Sequence, residues 1–158
     1  MGLDMYLDAK RYLSRHFDHF GDGDTEIIET CNRMLGIDGS DDEDYSVKEV
    51  TVRVAYWRKA NAIHRWFIDN CSDDGVDDCR PMYVSTDQLK QLRNVCSEVL
   101  ADRSKADQLL PTMTGFFFGN NDYGDYYFED VQHTLDRLDK ILSDKSLERC
   151  DFYYQASW

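Results

Sequence analysis

Val50–Ile68 reads VTVRVAYWRKANAIHRWFI, and how it is divided between strand and helix decides the fold. Val50, Val52 and Val54 alternate with polar residues, and the β-branched content favours a strand with those valines on one face. From Ala55 the pattern fits a helix: at about 100° per residue, Tyr56, Ala60, Ile63 and Phe67 fall on one apolar stripe. Trp57 and His64 lie on one flank of that stripe, with Asn61 just beyond, and Arg58 and Arg65 point away from it. The stretch carries Arg53, Arg58, Lys59 and Arg65 and no acid, in a chain whose formal net charge is -13. It predicts a strand that ends near Val54, followed by the central helix of the core.

Outward from this centre, the N-terminal GLDMYLDA alternates Leu3, Met5 and Leu7 against Asp4, Tyr6 and Asp8, the period of a half-buried strand. Ala9 to Gly23 has no clean period and reads as an irregular connection. A short helix is expected from Thr25, capped by Asp24 or Thr25, with Ile27, Ile28, Cys31, Met34 and Leu35 inward and Gly36 ending it. On the other side, MYV after Pro81 is a brief strand, and Ser85 with Gln88 forms a capping box. The helix behind that box buries Leu89, Leu92, Cys96, Val99 and Leu100. Lys105 to Leu110 adds a turn before Pro111, and GFFFG reads as a buried strand or an aromatic loop. Tyr127, Val131, Leu135, Leu138 and Leu142 mark a further helix, and DFYYQASW a terminal strand. The expected architecture is α+β: about three main helices on a small, mostly antiparallel sheet, in one domain covering residues 1–158.

Two acidic segments interrupt this plan, one near 38–46 and one near 69–79. Asp38, Asp41, Asp42, Glu43 and Asp44 in the first, and Asp73, Asp74, Asp77 and Asp78 in the second, are expected to repel one another and stay extended. They do not make calcium loops. An EF-hand needs Gly at its sixth position, and counting from Asp22, Asp38 or Asp69 finds Ile27, Glu43 or Asp74 there. His64, Cys71 and Cys79 lack the close paired spacing of zinc ligands, so no metal or cofactor is assigned. Five cysteines without a C-x-x-C pair fit reduced thiols. Neither GxxxxGK nor GxGxxG is present, and no catalytic residue is assigned.

Composition narrows the function classes. Hydrophobic residues at 42% beside 31% charged ones are what a soluble globular chain needs. No apolar run reaches membrane-span length, and the N-terminus lacks the basic start of a signal peptide, so a cytoplasmic protein is expected. The acidic balance opposes direct nucleic-acid binding, which depends on Lys and Arg neutralising phosphates. It suits instead a partner with a basic groove, reached by electrostatic steering.

Several stretches together, MGLDMYL at 1–7, YWRKANAIHRWF at 56–67, YVST at 83–86, LLPTMTGFFFG at 109–119 and YGDYY at 123–127, resemble a family of small proteins encoded by bacteriophages and prophages. The resemblance implies a phage setting and brings no catalytic residues. With the charge, it yields the leading expectation. This is a phage-encoded acidic protein whose two loops face a basic groove on a host nucleic-acid-processing or defence complex, as an anti-CRISPR or anti-restriction factor would. The rival expectation is a small-ligand protein that binds or modifies a nucleotide or nucleotide signal through Trp57, Arg58, Asn61, His64 and Arg65. Lys59 stands among these residues, and Tyr123, Tyr126 and Tyr127 could add an aromatic wall. A structural or assembly protein is the third reading.

Overall fold

The computed structural model describes residues 2–15, 23–37, 45–115 and 118–158. It has the α+β class expected, with a four-stranded antiparallel sheet ordered β2-β1-β4-β3 and, among the described residues, five α-helices where about three main ones were expected. In chain order these are β1 (Asp4–Tyr12), α1 (Asp24–Leu35), β2 (Glu49–Arg58), α2 (Asn61–Cys71), β3 (Met82–Val84), α3 (Thr86–Ala101), α4 (Ala106–Leu109), α5 (Asp125–Ser143) and β4 (Asp151–Ser157). The chain divides into two compact units, residues 1–9 with 53–158 and residues 10–52.

In the larger unit the alternation that runs from Leu3 into β1 sends Leu3, Met5 and Leu7 inward, each with no exposed surface. Ala55 and Trp57 of β2, Val84 of β3, and Phe152, Tyr154 and Ala156 of β4 complete the inner face. β3 runs antiparallel to β4, with Tyr83 opposite Tyr153. Against this face pack Ile63 and Phe67 of α2, Leu89, Leu92, Cys96 and Val99 of α3, and Val131, Leu138 and Ile141 of α5. The stack of Phe67 on Tyr154, with centroids 4.0 Å apart, joins helix to sheet. The Ser85 cap forms as expected: its hydroxyl accepts from the Gln88 N–H while the Gln88 side chain accepts from the Ser85 N–H. Outside the core, Tyr6 and Tyr56 lie 5.6 Å apart on the opposite sheet face, with Arg53 stacked over Tyr6 and paired to Asp8.

The decisive stretch departs from expectation. β2 does not end at Val54 but continues through Arg58, so Tyr56 and Trp57 belong to the strand. Its buried positions are the odd ones, Ala55 and Trp57, whereas Val52 is 51% exposed and Tyr56 43% exposed. Lys59, with φ of 61°, then turns the chain, and the helix begins at Asn61. Ile63 and Phe67 are core as expected, because from Asn61 onward the helical period does apply.

In the smaller unit, β1 extends to Tyr12, beyond the expected start of an irregular connection. α1 is capped by Gly23 rather than by Asp24 or Thr25. Asp24 is buried and held by Arg11, and Asn32 accepts from the Val47 N–H at 3.0 Å. These polar anchors occupy much of the inward side, so Met34 and Leu35, expected inside, are exposed, while Ile28 is buried. Gly36 ends the helix in the left-handed conformation, as its position implied. The acidic segment at 38–44 and Phe116 and Phe117 lie outside the described residues. Within 111–115 and 118–124 no strand forms.

Candidate functional site

The junction between β2 and α2 is built from residues with little freedom to move. The Lys59 N–H donates to Leu3 O at 2.8 Å, which ties the left-handed turn to β1, and the Asn61 N–H donates back to Lys59 O at 2.9 Å. Asn61 is 4% exposed. Its amide donates to Phe118 O at 3.1 Å and Asn120 O at 2.9 Å, and its carbonyl accepts from the Met113 N–H at 3.3 Å. One side chain therefore holds two loop segments against the start of α2. Gly119, with φ of 90°, sits so close that an added Cβ would lie 3.2 Å from Lys59 Cβ. Both the dihedral and the approach call for glycine there.

A cleft of about 470 Å³ opens between this junction, the 119–124 loop and the first turns of α5. Its walls differ in charge. The junction wall presents Arg58 and Lys59 beside Asn61; the loop and α5 present Asp122, Glu129 and Asp130, with Tyr126 and Tyr127 beside them. The first turn of α2 also lines the cleft and carries neither an acidic residue nor a side-chain cap. Tyr127 is fixed by donating to Leu110 O at 2.8 Å, whereas Tyr126 is 83% exposed. Asp130 is half-buried and has no hydrogen-bond donor among the described residues. Burial first, and then the charge of Glu129, push its carboxyl up to about 6.

Of the five candidate ligand residues, the structure brings only Arg58 and Asn61 to this cleft. Trp57 is buried and donates its indole N–H to Thr134 Oγ1 at 2.9 Å. His64 has no exposed surface: Nδ1 meets the Tyr154 hydroxyl at 2.7 Å and Nε2 meets Asp77 at 2.8 Å. Arg65 lies outside the cleft, donating to Asp69 at 3.3 Å and to Thr112 O at 3.0 Å. The acids Asp122, Glu129 and Asp130 had no periodic or motif signal. The one available sign was a pair of acids, Glu129 and Asp130, set between the apolar Phe128 and Val131 on a helix that otherwise buries that side.

The second acidic loop is gathered rather than extended. Arg80 donates to Asp74 and to Asp78, each at 2.8 Å, and Asp77 accepts from the Trp158 indole at 3.2 Å as well as meeting His64. Arg80 foremost, with the Val76 N–H and Ser72, holds the Asp74 carboxyl down to about 2. The repulsion expected from sequence is thus offset in part by one guanidinium from the loop's own end, which draws Asp74 and Asp78 together. Asp73, Asp74 and Asp78 remain exposed; Asp38, Asp41, Asp42, Glu43 and Asp44 lie outside the described residues.

Burial pushes the thiols of Cys71 and Cys96 up to about 12, far from the thiolate a nucleophile needs. Among the described residues no three His, Cys, Asp or Glu side chains are placed to hold a metal ion, and no helix is long and apolar enough to cross a membrane. Fold and cleft define a small α+β protein with an open, two-signed hollow beside its central strand–helix junction. No family model, curated protein or solved structure matches the chain.

Proposed function

We propose that the protein binds a small anionic ligand of the nucleotide class in the cleft between Arg58, Lys59 and α5. The observation that carries this reading is the cleft itself. Its volume of about 470 Å³ falls within the roughly 300–1,000 Å³ of small-molecule sites, and it places two cations and a carboxamide on one wall and an exposed tyrosine on another. Arg58 and Lys59 suit a phosphate, and Tyr126 offers a ring on which a base can stack. A thermal-shift screen with nucleoside monophosphates, triphosphates and cyclic dinucleotides tests it. A ligand at about 100 times its Kd stabilises the folded state by about 2.7 kcal/mol, a clear rise in Tm. The rise should be lost in Arg58→Ala, and a screen without any shift refutes the reading.

The net charge of -13 and the exposed Asp73, Asp74 and Asp78 support a second reading. In it, a phage-encoded acidic protein occupies the basic groove of a host nucleic-acid-processing or defence complex and blocks it, as anti-CRISPR and anti-restriction factors do. Capture of such a complex should weaken steeply with salt and with replacement of those three acids by Asn. Binding indifferent to both changes rules this reading out.

A further inference from the structure

The two walls of the cleft are chemically different, and the difference bears on which ligand it takes. Arg58 and Lys59 stand at the end of β2, whereas Asp130 sits on α5 across from the junction, flanked by Glu129 and by Tyr126 one turn earlier. The α5 backbone at Asp130 is joined to β2 through one side chain. The Asp130 backbone carbonyl accepts from the Thr134 hydroxyl at 2.7 Å, and Thr134 in turn accepts from the Trp57 indole. A half-buried carboxyl that lines a cleft and lacks a donor of its own among the described residues is a group to which a ligand can supply hydrogen bonds.

We propose that Asp130 reads the hydrogen-bonding edge of a nucleobase whose phosphate is held by Arg58 and Lys59, taking a guanine edge when ionised and an adenine or cytosine edge when protonated. This rests on the nucleotide reading of the cleft. The chemistry follows from donor and acceptor counts. A carboxylate only accepts, and guanine offers two adjacent donors, N1–H and the 2-amino group. A carboxylic acid donates once and accepts once, which matches the ring nitrogen and exocyclic amine of adenine or cytosine. Each state rejects the other edge, because two acceptors or two donors then face each other.

The titratable and charged groups sharing the cleft are Glu129, Tyr126 and Tyr127 on the same helix, Asp122 from the loop, and Arg58 and Lys59 from the junction. His133, one turn further along α5, has its Nε2 within 3.2 Å of Tyr56 O. Burial foremost, and Glu129 second among these groups, raise the Asp130 carboxyl to about 6, inside the range where nucleobases themselves do not titrate.

The experiment is calorimetric titration of the full chain with GMP and AMP at pH 5.0 and pH 7.5, taking the ratio of affinities so that titration of the phosphate cancels. The ratio of GMP to AMP affinity should rise at least about tenfold between the two pH values, with its crossover near pH 6. Asp130→Asn fixes the donor–acceptor pattern of the protonated acid, so it should prefer AMP at both pH values. Glu129→Gln removes the neighbouring charge and should move the crossover to lower pH. Nucleotides that bind with a ratio indifferent to pH overturn the assignment of Asp130 alone. Absence of binding by either nucleotide at both pH values overturns the nucleotide reading together with it.

Discussion

Replacing His64 by leucine separates a structural histidine from a ligand-binding one. In the fold both ring nitrogens are engaged, to the Tyr154 hydroxyl at 2.7 Å and to Asp77 at 2.8 Å, and the ring meets Phe118 edge-on at 5.1 Å. Leucine fills a similar volume, so the cavity contribution is small. An orphaned, fully buried Tyr154 hydroxyl costs about 1–3 kcal/mol, and the lost bond to Asp77 about 0.5–1.5 kcal/mol, since Asp77 keeps the Trp158 indole. Loss of the ring contact adds about 0.5–1 kcal/mol. His64→Leu should therefore be destabilised by about 2–5.5 kcal/mol, measured by urea unfolding followed by circular dichroism with the m-value unchanged. Adding Tyr154→Phe, which removes the orphaned hydroxyl but keeps the ring stacked on Phe67, should recover about 1 kcal/mol or more. The reasoning is refuted if His64→Leu is as stable as the parent chain, or if Tyr154→Phe adds its full cost on top.

Asp130 makes stability depend on pH in an unusual direction for a carboxylate. Its folded-state value, raised to about 6, lies above the unfolded one, so its contribution is complete below about pH 4 and lost as pH rises through 6. Asp130→Asn should thus be the more stable protein at pH 7.5, by about 1–2 kcal/mol after allowance for solvent screening, with the gap closing by pH 4 in denaturant titrations. Lys59→Gly should hold or raise Tm, because the left-handed turn costs lysine about 1 kcal/mol, yet weaken nucleotide binding by removing the amine. In Arg80→Ala, the Asp74 carboxyl should return from about 2 toward the ordinary range in a carbon-detected NMR titration.

Where one physical signal dominated, the sequence was readable. Strict alternation put Leu3, Met5 and Leu7 in the core along and just before β1, a capping box marked the start of α3 at Ser85, and a glycine in the left-handed conformation ended α1. The β2–α2 junction was not readable, because the left-handed position is held by Lys59 rather than by a Gly or Asn, fastened by the distant Leu3 O. Periodicity put Trp57 on the flank of a helical stripe, whereas the strand turns it to the inner face, where it finds its tertiary partner Thr134. The acids of the second loop looked repulsive because the sequence does not reveal that Arg80 reaches back to Asp74 and Asp78. The cleft itself arises from two distant stretches, 58–63 and 119–131, in which Arg58, Lys59, Asn61 and Tyr126 carried a chemical hint and Asp130 did not.

The relay from the Trp57 indole through Thr134 to the Asp130 carbonyl gives the molecule an optical readout of its own. Trp57 and Trp66 are buried at 2% and 6% exposure, whereas Trp158 is 45% exposed, so a soluble quencher such as iodide selectively dims Trp158. The remaining emission comes from indoles in the core, one of them wired by two hydrogen bonds to the helix wall that carries Asp130. A ligand that shifts that wall changes the colour or yield of this residual light, and binding to the unmodified chain can be followed without a label.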